Sequence, residues 1–137
     1  MTTTTAPAAP TTRDAQLKPA RVAIAAAVAL ALNLAAYGIG TLAGASWTVS
    51  SPVGISWVGI TATTLGTMAV GGLITWLLVR SWTKAPTWAA WGGLIFGLAS
   101  MPMSFIAAAD LTTGFGLASM HVIAALAWFF AVRPAKA

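Results

Sequence analysis

Four polar side chains stand in otherwise apolar surroundings where they can do chemistry: Asn33, Tyr37, Asp110 and His121. His121 is the chain's one imidazole, a group that can carry a proton or bind a metal near neutral pH. Asp110 lies eleven residues before it. Eleven helical steps of ~100° return to within about 20° of the same direction, so Asp110, Gly114, Leu117 and His121 fall on one stripe. An acidic mouth above a small or apolar path that ends at a histidine is what a short polar access route requires. Asn33 follows Arg21 by twelve residues and His121 precedes Arg133 by twelve. At ~1.5 Å per residue each lies about 18 Å from its basic flank, the mid-depth of a bilayer. Thr67 and Met68 reach a similar level. Two readings follow. A hydrogen bond between Asn33 and His121 can join two helices, worth ~0.6–2 kcal/mol in lipid, or the same residues can form a ligand or proton site. Asp110 has a structural reading of its own, as the N-cap that opens the helix beginning at Leu111.

Other chemistries are absent from the chain. With no cysteine there is no thiolate nucleophile, disulfide exchange or cysteine metal site. No Ser/His/Asp arrangement, paired carboxylates, HExxH or phosphate-binding glycine loop occurs, which excludes a hydrolase or kinase and leaves no catalytic residue to assign. One histidine cannot make a bis-histidine haem site in a monomer, and Met101, Met103 and Met120 read as core filler on apolar helices. No metal or cofactor is expected.

The elements that carry these residues are four apolar segments, spanning roughly 22–43, 57–79, 87–107 and 111–132. Each is about 20 residues long, enough for a helix to cross a ~30 Å hydrocarbon layer. A hydrophobic fraction of 58% with 7% charged residues leaves too little polar surface to cover a soluble globule. All seven Lys and Arg fall on one side of these segments: Arg13, Lys18 and Arg21 before the first, Arg80 and Lys84 between the second and third, Arg133 and Lys136 after the fourth. The positive-inside rule then predicts an all-α integral membrane four-helix bundle of two antiparallel hairpins with both termini cytoplasmic. The net charge of +5 reads as this topological charge, able to touch anionic headgroups, and not as a nucleic-acid surface. Residues 1–20, rich in Thr, Ala and Pro, read as a disordered cytoplasmic tail ahead of a membrane domain over 21–133, with a short tail at 134–137. The first apolar run is too long for a signal-peptide core and reads as a retained span.

Pro19 and Pro86 mark helix starts, and residues 50–54 mark the outer loop of the first hairpin. All seven Trp lie near an expected membrane boundary, as interfacial anchors do. The hairpins also resemble each other weakly, with Thr63-Thr64 and Met68 in one matching Thr112-Thr113 and Met120 in the other. Gly40-x-x-x-Gly44 and Gly93-x-x-x-Gly97 have the spacing that lets helix backbones approach in lipid. They predict packing within the bundle, or a face for a homo-oligomer or a larger membrane complex.

The Ala-rich first helix with Asn33-Leu34 and Tyr37, the stretch Thr63–Gly66, and the segment from Ala109-Asp110 to Met120-His121 together resemble a family of uncharacterised four-span membrane proteins of actinobacteria. The resemblance covers about 21–133. It implies the fold and a bacterial plasma membrane location and carries no activity. The sequence therefore points to a small non-enzymatic multi-pass protein, an accessory or scaffolding subunit or a self-associating bundle. The alternatives are a small transporter, channel or proton-coupled carrier using Asp110 and His121, and a membrane redox or lipid-modifying enzyme with His121 as its general base or ligand.

Overall fold

Proline and capping residues start the helices where the sequence places them. In the computed structural model, which describes residues 17–51 and 54–134, α1 spans Pro19–Leu42, α2 Trp57–Leu78, α3 Ala85–Ala99, α4 Met101–Ala107 and α5 Leu111–Val132. Pro19 and Pro86 occupy first-turn positions, where a missing N–H costs nothing. Ser56 and Asp110 are N-caps whose side chains accept from the N–H groups of Gly59 and Thr113. Of the expected terminal tails, residues 1–16 and 135–137, with Arg13 and Lys136, lie outside the described residues, as do Pro52 and Val53 of the first outer loop, while Pro19 and Ala20, placed in the first tail, begin α1.

α3 and α4 follow one another as a single span, so the helices make four segments long and apolar enough to cross a membrane. The sequence predicts this third span, 87–107, as one unbroken helix. It breaks at Ser100 because Pro102 has no N–H to offer the Leu98 carbonyl and its ring crowds that oxygen. Ser100 Oγ–H donates instead to the Gly97 carbonyl at 2.8 Å. Large apolar side chains stay exposed along every span, among them Ile24, Leu73, Ile95, Phe96 and Phe115. Water would not tolerate such faces; hydrocarbon does. The chain is an all-α membrane protein.

α5 is the central helix. It packs against α1 on one side and against α3 and α4 on the other, while α2 packs on α1 and barely meets α3. The bundle thus runs α2–α1–α5–α3/α4, with little direct contact between α2 and α3. Arg21 ties the start of α1 to the end of α5, donating to the carbonyls of Arg133 at 3.3 Å and Phe130 at 2.5 Å. Those carbonyls have no helical donor and sit at the negative end of the α5 dipole. Arg21, Arg80, Lys84 and Arg133 therefore share one end of the bundle, called the basic end below.

The opposite end is closed by the first loop. Gly44 (φ +86°) ends α1: Ala45 N–H donates to Gly40 O and Gly44 N–H to Thr41 O, the Schellman pattern that needs a left-handed residue here. The loop then crosses the tip of the second hairpin through a bridge between Val49 and Ala108, with Ser50 N–H donating to Ala107 O and Ala109 N–H to Thr48 O.

The four glycines read as bundle packing or as an association face are used within the chain. Gly44 is the cap just described. A Cβ on Gly40 would stand 2.5 Å from the Trp47 ring, and one on Gly97 would stand 2.6 Å from Ala125 Cβ. Gly93 lies under Trp128, which also fills the space over Gly71. The tryptophans divide accordingly. Trp57, Trp76, Trp82, Trp88 and Trp91 are exposed as anchors should be, but Trp47 is buried and Trp128 is packed between helices. Trp128 donates its indole N–H to Ala89 O at 2.7 Å.

Candidate functional site

Asn33 belongs to the buried stripe of α1 with Ala26, Ala29 and Gly40. Its Nδ2–H donates to Thr64 Oγ1 on α2 at 3.0 Å, and its Oδ1 is buried with no partner among the described residues. The expected Asn33–His121 pair is not formed, because Asn33 faces α2 while His121 faces α4. Tyr37 packs against Trp47 with the rings tilted and their centroids 4.6 Å apart.

Asp110 is committed to holding the loop. Its Oδ1 accepts from Thr113 N–H at 2.7 Å; its Oδ2 accepts from Thr113 Oγ1 at 2.7 Å, from Ser46 N–H at 3.2 Å and from the Ser46 hydroxyl. The Ser46 hydroxyl, then the backbone and side chain of Thr113, hold the carboxyl well below the usual carboxylate range, against a smaller opposing effect of burial. Thr113 passes the tether on, accepting from Trp47 N–H at 3.0 Å. Trp47 has φ 55°, a left-handed conformation that a bulky residue adopts only when its surroundings impose it. Three groups impose it here: Thr113, Thr41 Oγ1, which accepts the indole N–H at 2.9 Å, and Ile55 N–H, which donates to Trp47 O. The ring then lies between Gly40 of α1 and Gly116 of α5. The carboxylate serves as a cap and a clasp, and Gly114 below it is covered by Phe105.

His121 lines a cleft of about 540 Å³ between the first loop, the α3–α4 break and α5. Val49, Ser50 and Ile55 form one wall, Ser100, Met103, Ser104 and Ala107 another, and Leu117 and His121 the third. The imidazole Nδ1 is 2.8 Å from Leu117 O. A carbonyl only accepts, so Nδ1 carries the proton and, in the neutral ring, the distal Nε2 keeps its lone pair. Ser104 Oγ is 3.4 Å from the same Nδ1, a second and weaker acceptor. The nitrogen facing Ser104 already holds a hydrogen, so it cannot take the serine proton, and the pair is not an activated nucleophile.

The cleft does not continue towards the basic end. One turn beyond His121, Ala125 closes on Gly97, and Trp128 then packs on Gly93 and Gly71. No group of three or more metal-binding side chains occurs among the described residues. The arrangement can bind a small molecule from one side. It offers neither a carboxylate nor a second base to drive bond breaking.

Ser104, Thr64 and Trp47 were missed by the sequence reading. Pro102 within an apolar run was the legible signal for the break beside Ser104. Nothing in the sequence marked the partner of Asn33 or the inward turn of Trp47. The chain matches the model of a family of unknown function (DUF6069) over residues 13–137. No curated protein and no solved structure matches it.

Proposed function

The chain belongs to the DUF6069 family of unknown function, and from that premise we propose that it is a non-enzymatic multi-pass protein of the bacterial plasma membrane, an accessory or scaffolding subunit. The observation that carries this reading is the closed interior. The cleft stops at His121, the Gly97–Ala125 contact and Trp128 fill the half below it, and Asp110 is consumed by the loop. A proton or ion path needs polar groups at intervals across the whole span. The segregated basic residues support an orientation with both termini in the cytoplasm and the first loop outside.

Lipid is one partner and other membrane helices are the second. Because the glycine faces are filled from within, assembly falls to the exposed apolar sides of α2 and of the α3–α4 span, in a homo-oligomer or a larger complex. The role needs no cofactor.

Reconstitution into proteoliposomes tests the reading. Wild type and His121→Asn are expected to give equal, background proton and ion flux, and protein extracted in mild detergent is expected to migrate above the monomer mass. Flux that is present in wild type and lost in a folded His121→Asn variant would overturn it in favour of a carrier.

A further inference from the structure

We propose that the His121 cleft is a binding site for an uncharged, lipid-soluble molecule bearing a single hydroxyl group, of the chemical class of alkylphenols and long-chain alcohols. The inference goes beyond the accessory role and does not depend on it. It rests on which hydrogen-bonding capacities the cleft leaves open. Leu117 O takes the Nδ1 proton of His121, so the distal Nε2 has a lone pair and no hydrogen. Ser104 is buried, and its oxygen lies 3.4 Å from Nδ1, while its own hydroxyl hydrogen has no protein acceptor among the described residues. The cleft lining thus carries one acceptor, on His121, and one donor, on Ser104. A hydroxyl group satisfies both at once, giving its hydrogen to Nε2 and taking one from Ser104.

The walls select the rest of the molecule. Val49, Ile55, Met103 and Leu117 are apolar, and no charged side chain lines the cleft. An anionic headgroup or a cation would lose its hydration with no counter-charge to offset the loss. A neutral apolar body meets no such penalty. The volume of about 540 Å³ is that of an ordinary small-molecule site, which runs ~300–1,000 Å³.

The chain's one histidine makes the test direct. With isotopically labelled histidine, the imidazole nitrogens of the protein in lipid nanodiscs are followed by magnetic resonance. Para-nonylphenol is titrated against its methyl ether, which has the same shape and no hydroxyl hydrogen. The ring is expected to begin as the Nδ1-protonated tautomer, and the Nε2 resonance to shift saturably with the phenol alone. Ser104→Ala is expected to weaken that binding about fivefold, the loss of one ordinary hydrogen bond. Equal shifts from phenol and ether, no shift from either, or unchanged affinity in a folded Ser104→Ala protein would each overturn the proposal. The phenol–ether comparison is made on wild type and stands even if the variant does not fold.

Discussion

Four donors converge on the two oxygens of Asp110, and that single carboxylate organises the loop end of the molecule. Its effect on stability has a definite sign. The folded state holds the carboxyl below its ordinary value of 3.8, so the native state binds the proton more weakly than the unfolded chain does. The stabilisation is complete above about pH 4 and fades as the pH falls below that, towards the lowered folded value. Only one other Asp or Glu exists in the chain, Asp14 in the N-terminal tail. The thermal midpoint in detergent, followed by circular dichroism, should therefore hold steady from neutrality to about pH 5 and drop below about pH 4. Asp110→Asn should lower the midpoint at neutral pH and flatten the acid limb, since asparagine can still cap α5 but carries no charge for Ser46 and Thr113 to hold. An acid limb as steep in the variant as in wild type would contradict the clasp.

Helix association here depends on where glycine meets a neighbour and where it meets none. A Cβ at Gly97 collides with Ala125 on the central helix, whereas one at Gly66 meets nothing within 4 Å. Gly97→Ala should push α3 off α5 and cost about 1–3 kcal/mol. Gly66→Ala should be neutral or stabilising by up to ~1 kcal/mol, because alanine is the better helix former. Reversible unfolding of the two variants in mixed micelles measures the difference, and equal effects would remove the α3–α5 contact from the account. The same logic explains why the tryptophans part company: Trp47 and Trp128 each find two glycines to lie against, and the five exposed ones do not.

At the scale of the molecule, charge segregation and helix order act together. Arg21 joins the first and last spans at the basic end, and the loop clasp joins them to the second hairpin at the other, so α1 and α5 are fastened at both ends. α2 and the α3–α4 span remain the outer members, and the α3–α4 span, the least buried of the four, leaves the largest free surface for other helices. Topology is testable without background, because the chain has no native cysteine. A cysteine at Ser51 should react with an impermeant maleimide added to intact cells, and one at Ser81 should react only after the membrane is opened. Both positions are exposed at opposite ends of the bundle. The reversed pattern would invert the proposed orientation.

Span number, span limits and the basic end could be read from residues alone because each depends on local sums: apolar length, flanking charge, a proline or an Asp before a helix. Asp110 was legible as an N-cap for the same reason, and Pro102 marked a break that the reading passed over. The rotation of each helix about its axis is a different kind of quantity. In a soluble helix the boundary between polar and apolar residues marks the buried face; in lipid both faces are apolar and that contrast disappears. Equal depth suggested that Asn33 and His121 meet, yet depth leaves the direction of each side chain open, and packing turned one to Thr64 and the other to Ser104. The loop was still less legible, since the inward position of Trp47 depends on Gly40, Gly116 and Thr113, residues brought together only when α1 and α5 pack. Sequence determined how many times the chain crosses and which end carries the charge; tertiary packing decided which polar groups meet, because only contact between helices distinguishes one apolar face from another.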